Sequence, residues 1–141
     1  MEFNIDIQGY YRDVSRESFP NSPGVYFVYR GYLVPHLKTV TLKELLYIGE
    51  SGDIGSRLSN HERRNDFLSR LQPDEEIFYS FAVTSNLSDK NRQRVEAALI
   101  YELCTPLNTS STETFEYGPT VIQVLGDRHA YIPTTVEAPS Y

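Results

Sequence analysis

Side chains that could act on a phosphate ester are concentrated in residues 45–61. Arg57 and His61 are four positions apart, a spacing that places two side chains on one face of a helix. An arginine can donate two hydrogen bonds to a phosphate, and a histidine can exchange a proton near neutral pH. Tyr47 belongs to an apolar run in the same segment. These residue types suit phosphodiester hydrolysis, which needs a base for the attacking water and positive charge at the phosphorus.

The carboxylate of Glu96 could complete such a site from a later part of the chain. Its neighbours in sequence are apolar, and a carboxylate is seldom buried without a partner. A structural interpretation is equally open, in which Glu96 pairs with Arg92, four residues earlier on the same helix. The sequence alone leaves both interpretations standing.

The other candidates also have interpretations without chemistry. A tyrosine in a strand commonly packs with its ring and leaves its hydroxyl at the surface, so Tyr47 need not be catalytic. Arg57 and His61 could be solvated helix residues. Gly49 could provide room for a neighbour, and Asn108 could turn the chain after a helix. The case for function depends on the whole set of residues.

The composition is typical of a globular protein without a membrane segment. Its 141 residues fit one domain, which we assign to 1–141. No run approaches the roughly 18 apolar residues that a membrane span needs. The first residues lack the basic start and apolar stretch of a signal peptide, so a cytoplasmic location is expected. The single cysteine, Cys104, follows apolar residues and is expected to be a buried thiol.

The net charge of -6 argues against a surface that is basic throughout. Two stretches depart from this acidic background, 56–70 and 88–94, and each holds two more basic than acidic residues. A local nucleic-acid surface is therefore compatible with the composition. Its candidate members are Arg57, Arg63, Arg64, Arg70, Lys90, Arg92 and Arg94.

Hydrophobic patterning predicts the elements that must position these side chains. Strands are expected at 3–7, 25–29, 44–48, 76–83 and 120–125. Helices are predicted from Ile54 to about His61 with Asp53 as the N-cap, around 66–71, and over 90–103.

Two further segments are predicted to lack regular structure. Residues 30–43 contain Gly31 and Pro35 and are expected to form an inserted loop between paired strands. The proline-rich C-terminal tail is expected to be loosely held.

Taken together, the motifs resemble those of the GIY-YIG nuclease superfamily, which includes homing and restriction endonucleases and the N-terminal nuclease of bacterial excision repair. The resemblance covers 22–108 and leaves 109–141 as a C-terminal extension. It implies an α/β (α+β) fold with a small, mainly antiparallel three-stranded sheet flanked by helices. The residues that carry it are Gly24-Val25-Tyr26, Tyr47-Ile48-Gly49, Arg57, His61, Glu96 and Asn108.

The resemblance implies a metal-dependent endonuclease that cuts DNA with a single Mg²⁺ or Mn²⁺ ion. Glu96 would hold the cation, and Arg57 would stabilise the charge that develops on the phosphate. Tyr47 would activate the attacking water, with Tyr26 assisting and His61 nearby. A tyrosine base at neutral pH requires positive charge from Arg57, the metal or a protonated His61. The predicted substrate-binding residues are Gly49, Arg63, Arg64, Lys90, Arg92, Arg94 and Asn108.

This sequence departs from the family pattern in three ways. Tyr26 and Tyr47 are twenty-one residues apart, about twice the usual separation, because of the insertion 30–43. Glu50 stands after the second motif, where several members of the family have lysine. No separate DNA-binding module is visible, so specificity would come from the insertion, the tail, a homodimer or a partner protein. The alternative is a catalytically silent GIY-YIG-like module that binds proteins or regulates them.

Overall fold

Six strands form one sheet in the computed structural model, which describes residues 1–129 and 131–139. In chain order the strands are β1 (Glu2–Arg12), β2 (Gly24–Val34), β3 (Thr39–Ser51), β4 (Glu76–Val83), β5 (Thr120–Gly126) and β6 (Thr135–Ala138). Their order across the sheet is β3-β2-β4-β1-β5-β6. β1 and β5 are parallel, whereas the other neighbours are antiparallel. The sheet curls into a half-barrel.

The predicted fold class, a small three-stranded sheet flanked by helices, is wrong. β1, β5 and β6 widen the sheet, and strands outnumber helices among the described residues. The reason lies in the two ends of the chain. Phe3, Ile5 and Ile7 of β1 alternate into the core, and Thr120, Ile122 and Val124 of β5 do the same beside them.

The C-terminal tail is also more ordered than predicted. Residues 135–138 form β6, which pairs with β5 in antiparallel register. Val136 and Ala138 are buried in the core against the rest of the sheet. Ala130, Ser140 and Tyr141, which also belong to the predicted extension, lie outside the described residues.

The predicted insertion 30–43 is not a loop, because β2 and β3 continue through it as a long hairpin. Pairing extends from Gly31 opposite Leu42 to Val34 opposite Thr39. Gly31 was interpreted as a breaker, but its backbone lies so close to Thr41 that a Cβ would be less than 3.0 Å from the Thr41 carbonyl oxygen. Glycine is therefore required by strand contact at this position. Only residues 35–38 form the turn.

The helices largely follow the sequence-based expectations. They are a 3₁₀ helix (Asp13–Ser18), α1 (Ile54–Ser59), α2 (Arg64–Ser69) and α3 (Asp89–Leu103). The Asp53 carboxylate accepts a hydrogen bond from the Ser56 N–H at 3.1 Å, which confirms the predicted N-cap of α1. In the part of the chain that the structure describes, no helix combines the length and apolar character that crossing a bilayer requires.

Two local predictions near helix ends are wrong. α1 ends at Ser59, and Asn60 leaves the helical conformation with φ -147°, so His61 lies beyond the helix. Cys104 ends α3 in the left-handed conformation, with φ 50°, and is exposed. Helix α3 ends at this left-handed residue, and the expected burial of the thiol does not occur.

Side chains of β2 are buried on both faces of the sheet. Val25, Phe27 and Tyr29 belong to the core that includes Val95, Ala98 and Leu99 of α3. Tyr26 and Val28 point to the opposite face, where Leu58 of α1 and Phe67 of α2 cover them. Residues 25–29 of β2 therefore form a continuous apolar run, because neither face of this part of the strand is exposed to solvent.

β3 is one of the two edge strands of the sheet, and its outer edge is covered by α3 and the segment that follows it. The Leu46 carbonyl accepts the Leu107 N–H at 3.0 Å. Asn108 spans both backbone groups of Ile48, since its Oδ1 accepts the Ile48 N–H at 2.9 Å and its Nδ2 donates to the Ile48 carbonyl at 2.8 Å. Asn108 therefore has a structural role at this strand edge, which leaves its amide unavailable for the predicted contact with substrate.

We predict that Asn108→Ala lowers the free energy of unfolding by about 1 to 3 kcal/mol, because two backbone groups lose their partner. Urea denaturation followed by circular dichroism measures this change. Asn86→Ala serves as the matched control, since Asn86 is exposed in a turn. Equal stability of the two variants would contradict the edge-covering role.

Candidate active site

Tyr26 and Tyr47 meet on one face of the sheet because of the register between β2 and β3. Tyr26 lies opposite Gly49, and Val28 lies opposite Tyr47. The two tyrosine rings are stacked with their centroids 6.3 Å apart. A Cβ on residue 49 would lie less than 3.0 Å from Cζ and Oη of Tyr26. The Tyr26 ring therefore occupies the space that any larger residue at position 49 would fill.

The hydroxyl of Tyr26 is bonded to His61, at 2.7 Å from Nε2. Nδ1 of His61 accepts the backbone N–H of Arg63 at 3.0 Å, so the proton of the neutral ring is on Nε2 and is donated to Tyr26 Oη. Burial, reinforced by Arg57, lowers the pKa of His61 from 6.5 to about 4. His61 is therefore neutral at pH 7. The suggestion that a protonated His61 promotes a phenolate is wrong for this site.

Arg57 is the second donor to the Tyr26 oxygen. Its Nε lies 3.4 Å from Tyr26 Oη, and its Nη2 donates to Glu62 at 3.0 Å. These contacts raise the pKa of Arg57, which stays charged. Burial nevertheless raises the pKa of Tyr26 above its ordinary value. The Tyr26 oxygen thus accepts hydrogen bonds from two side chains while its own proton remains in place.

Tyr47 is half-buried, and its hydroxyl makes no hydrogen bond to any described residue. Its ring packs against His61 and Phe67, with centroids 5.4 Å and 5.2 Å away, and the Arg63 guanidinium lies 5.5 Å from its centre. Burial raises the pKa of Tyr47, and Glu96 raises it further, while Arg57 and Arg63 act in the opposite direction. Tyr47 thus presents a phenol with a free hydroxyl beside two guanidinium groups.

Glu96 comes to this site from α3, past the edge of β3. Burial and then the charge of Glu50 raise the pKa of Glu96 to about 7, while the backbone N–H of Glu50 and the charges of Arg57 and Arg92 favour the ionised form. Glu96 also raises the pKa of both Tyr26 and Tyr47, so the carboxylate is within electrostatic range of both phenols. Within the described residues Glu96 forms no ion pair.

A single carboxylate can hold a divalent cation only if other oxygen atoms complete its coordination. Over residues 1–129 and 131–139, no group of three or more His, Cys, Asp or Glu side chains is arranged to bind a metal ion. The ionisable Glu96 oxygens, without a cationic partner, nevertheless fit a cation whose remaining ligands are water and phosphate oxygens. Glu96 also lines a polar cleft of about 440 Å³, together with Glu50, Gln93, Ser110, Ser111, Thr114 and Glu116.

Three of the predicted substrate-binding arginines are engaged in the protein itself. Arg64 pairs with Asp13, and Arg92 pairs with Glu50 and Asp89. Arg94 holds the chain near β5 through Thr120 Oγ1 and the carbonyl oxygens of Gly118 and Pro119. Because all of these acceptors except Asp89 are distant in sequence, the local charge count did not reveal that these cations are occupied.

Two predicted basic residues keep a position suited to a ligand. Arg63 lies over the Tyr47 ring while it pairs with Asp66 at 2.6 Å. Lys90 is exposed near the start of α3 and has no ion pair to the described portion of the chain. The structure therefore brings Tyr26, Tyr47, Gly49, Arg57, His61, Arg63 and Glu96 together and leaves Arg64, Arg92, Arg94 and Asn108 in structural roles.

Glu62 and the cleft residues Gln93, Ser110, Ser111 and Thr114 were not predicted from the sequence. Glu62 orients Arg57 across the end of α1, five residues on, which is not a helical spacing and gave no signal. Ser110, Ser111 and Thr114 line the same cleft as Glu96 because the chain after α3 returns along the β3 edge. In the sequence, a polar stretch of this kind predicts only a loop.

No family model, curated protein or solved structure matches this chain. The functional interpretation therefore depends on the chemistry of the site.

We predict that Gly49→Ala displaces Tyr26 and lowers the free energy of unfolding by about 1 to 3 kcal/mol, the usual cost of overpacking. Denaturant unfolding measures the change. Gly52→Ala is the matched control, because its Cβ would meet only the end of the Arg92 side chain, at 3.9 Å. Equal free energies of unfolding for the two variants would mean that the position of the Tyr26 ring does not require glycine at residue 49.

We predict a second, pH-dependent effect from His61. Because the folded-state pKa is about 4 and the ordinary value is 6.5, the unfolded chain binds more protons between these values. Stability from His61 is therefore present above about pH 6.5 and is lost as the pH falls towards 4, at up to about 1.4 kcal/mol per pH unit.

The test is made in a Glu96→Gln background, since the raised pKa of Glu96 gives the opposite slope between 4.5 and 7. Adding His61→Gln should flatten the dependence of unfolding free energy on pH between 4 and 6.5. Parallel pH profiles with and without His61 would mean that this ring is not held neutral.

Proposed function

We propose that this chain is a metal-dependent endonuclease of the GIY-YIG kind, which hydrolyses phosphodiester bonds in DNA with a single Mg²⁺ or Mn²⁺ ion. The observation that supports this most strongly is the convergence of two tyrosines, a charged arginine and a carboxylate on one site. A cytoplasmic site of action is part of the same proposal.

Arg57 is the residue proposed to bind the reacting phosphate. Its Nε is directed at Tyr26, and its Nη2 is held by Glu62, whose side chain is 71% exposed. An ion pair this exposed contributes little, so an incoming phosphate can replace Glu62 at low cost. Arg57 then offers the phosphate a charged donor that Tyr26 already orients, and it stabilises the charge on the phosphorus in the transition state.

Tyr47 is the residue proposed to activate the attacking water. Its hydroxyl has no partner among the described residues and is free to contact a water molecule. Because burial and Glu96 raise the pKa of Tyr47, the phenolate is scarce at neutral pH and forms more readily as pH rises. Arg57 and Arg63 favour the phenolate. The Tyr26 oxygen accepts hydrogen bonds from His61 and Arg57 and so holds these two side chains in place beside Tyr47.

Glu96 would hold the divalent cation, which when bound supplies positive charge to the phosphate and to the departing oxygen. Its carboxylate is oriented by the backbone N–H of Glu50. The hydroxyl and amide groups that line the adjacent cleft could form hydrogen bonds to the water molecules that complete the coordination of the cation.

A catalytically silent module that binds another protein is the second candidate. The acidic net charge and the engagement of Arg64, Arg92 and Arg94 within the protein favour it, because they reduce the cationic surface available to DNA. Under either proposal a homodimer or a partner protein would supply specificity.

We predict that the wild-type protein with Mg²⁺ or Mn²⁺ cleaves plasmid, branched or single-stranded DNA. Tyr47→Phe should lower the rate about 100-fold or more, because a general base contributes roughly 10² to 10⁴. Arg57→Ala and Glu96→Gln should abolish cleavage. Gel assays measure the rate, and folding is checked by circular dichroism.

Arg12→Ala is the control for the loss of a charge, since Arg12 pairs with Glu76 at the opposite end of the sheet. Cleavage that persists equally in all variants would identify a contaminating nuclease. Absence of cleavage on every substrate, with all variants folded, would favour the protein-binding module.

A further inference from the structure

Arg92 and Glu96 stand one helical turn apart on α3, the spacing at which opposite charges normally pair. They do not pair in the structure. Arg92 donates instead from Nε to Glu50 Oε2 at 2.5 Å and from Nη1 to Asp89 Oδ1 at 2.9 Å. The expected partner of Glu96 is thus directed to other carboxylates.

The two acceptors of Arg92 are not equivalent. The Asp89 side chain is 84% exposed, so its attraction is weakened by solvent. Glu50 lies on β3, with its carboxylate largely screened from water beside an Arg92 side chain that is only 6% exposed. A guanidinium buried to this degree needs a carboxylate close by, because an unpaired buried charge is costly. Glu50 is therefore the principal partner.

Residue 50 acts on Glu96 in two separate ways. Its backbone N–H favours the ionised Glu96 carboxylate, and its side chain holds the one cation that α3 places a turn away. Arg57, the other cation near Glu96, is engaged with Tyr26 and Glu62. The Glu96 carboxylate consequently lines the cleft without an ion pair to any described residue.

We infer that Glu50 is a positioning residue that withdraws Arg92 from Glu96 and so keeps the Glu96 carboxylate available for a divalent cation. This inference rests on the proposed nuclease function. It also accounts for the negative charge of Glu50, at a position where several GIY-YIG proteins have lysine. Without Glu50, the buried Arg92 would keep only the exposed Asp89, and Glu96, one helical turn away, is the carboxylate that could take the place of Glu50.

The test compares Glu50→Gln with the double variant Glu50→Gln/Arg92→Gln. Glu50→Gln should lower Mn²⁺ binding and DNA cleavage at limiting Mn²⁺ by at least about tenfold, the effect of one new charge-assisted pair. Removing Arg92 as well should restore both to within about threefold of wild type, because the competing cation is gone. Calorimetry with Mn²⁺ alone and gel assays provide the two readouts.

Glu76→Gln is the matched control, because it removes a carboxylate that pairs with the Nε of Arg12 at 2.8 Å far from the cleft. If the pair between Glu50 and Arg92 were only structural, both variants would lose Mn²⁺ binding and cleavage, and the removal of Arg92 would not restore them. Unchanged Mn²⁺ binding in Glu50→Gln, or a double variant as impaired as the single one, would therefore overturn the inference.

A crystal structure of Glu50→Gln separates this inference from the proposed function. The guanidinium of Arg92 should lie within about 4 Å of the Glu96 carboxylate, the limit for an ion pair. If Arg92 stays away from Glu96, the inference is wrong, whatever the activity. If Arg92 moves as expected but the wild type neither binds Mn²⁺ nor cleaves DNA, the competition is supported and the proposed function fails.

Discussion

The contact between the Tyr26 ring and the bare backbone of Gly49 is the constraint on which the site depends. With no side chain on β3 at that point, the ring crosses the neighbouring strand, and its oxygen reaches His61 and Arg57. Those two residues come from the end of α1 and the turn after it, so one cross-strand contact fixes the sheet relative to the following helix. Burial of the ring raises the pKa of the phenol.

Electrostatic frustration around Glu96 distinguishes this site from the rest of the molecule. Elsewhere, as with Asp13, a poorly exposed carboxylate accepts bonds from several donors, including Arg64 and Tyr79. Burial, and after it the Glu50 carboxylate, raises the pKa of Glu96, while the backbone N–H of Glu50 acts in the opposite direction. Such an incompletely compensated carboxylate is costly to stability unless a ligand provides the missing charge. This contrast adds to the case for a ligand at Glu96 that the convergence of the tyrosines, Arg57 and Glu96 provides.

Local patterns in the sequence predicted local structure well. The Asp53 cap, the core of β2, and α3 follow from residues that are neighbours in the chain. The wide sheet was missed because β1 pairs with β5 across more than a hundred residues, and parallel pairing leaves no turn signal.

The candidate site was predicted to a similar extent. Tyr26, Tyr47, Arg57, His61 and Glu96 do come together in the structure, as their residue types and spacing had suggested. The roles of the other cations were not predictable, because their partners are remote in sequence. Arg64 pairs with Asp13, fifty-one residues away, and Arg92 with Glu50, forty-two residues away. The covered edge of β3 also limits assembly, because outward-facing backbone groups of Leu46, Ile48 and Glu50 are already bonded to Leu107, Asn108 and Glu96. A second chain could therefore not extend the sheet there without first displacing the Glu96 carboxylate.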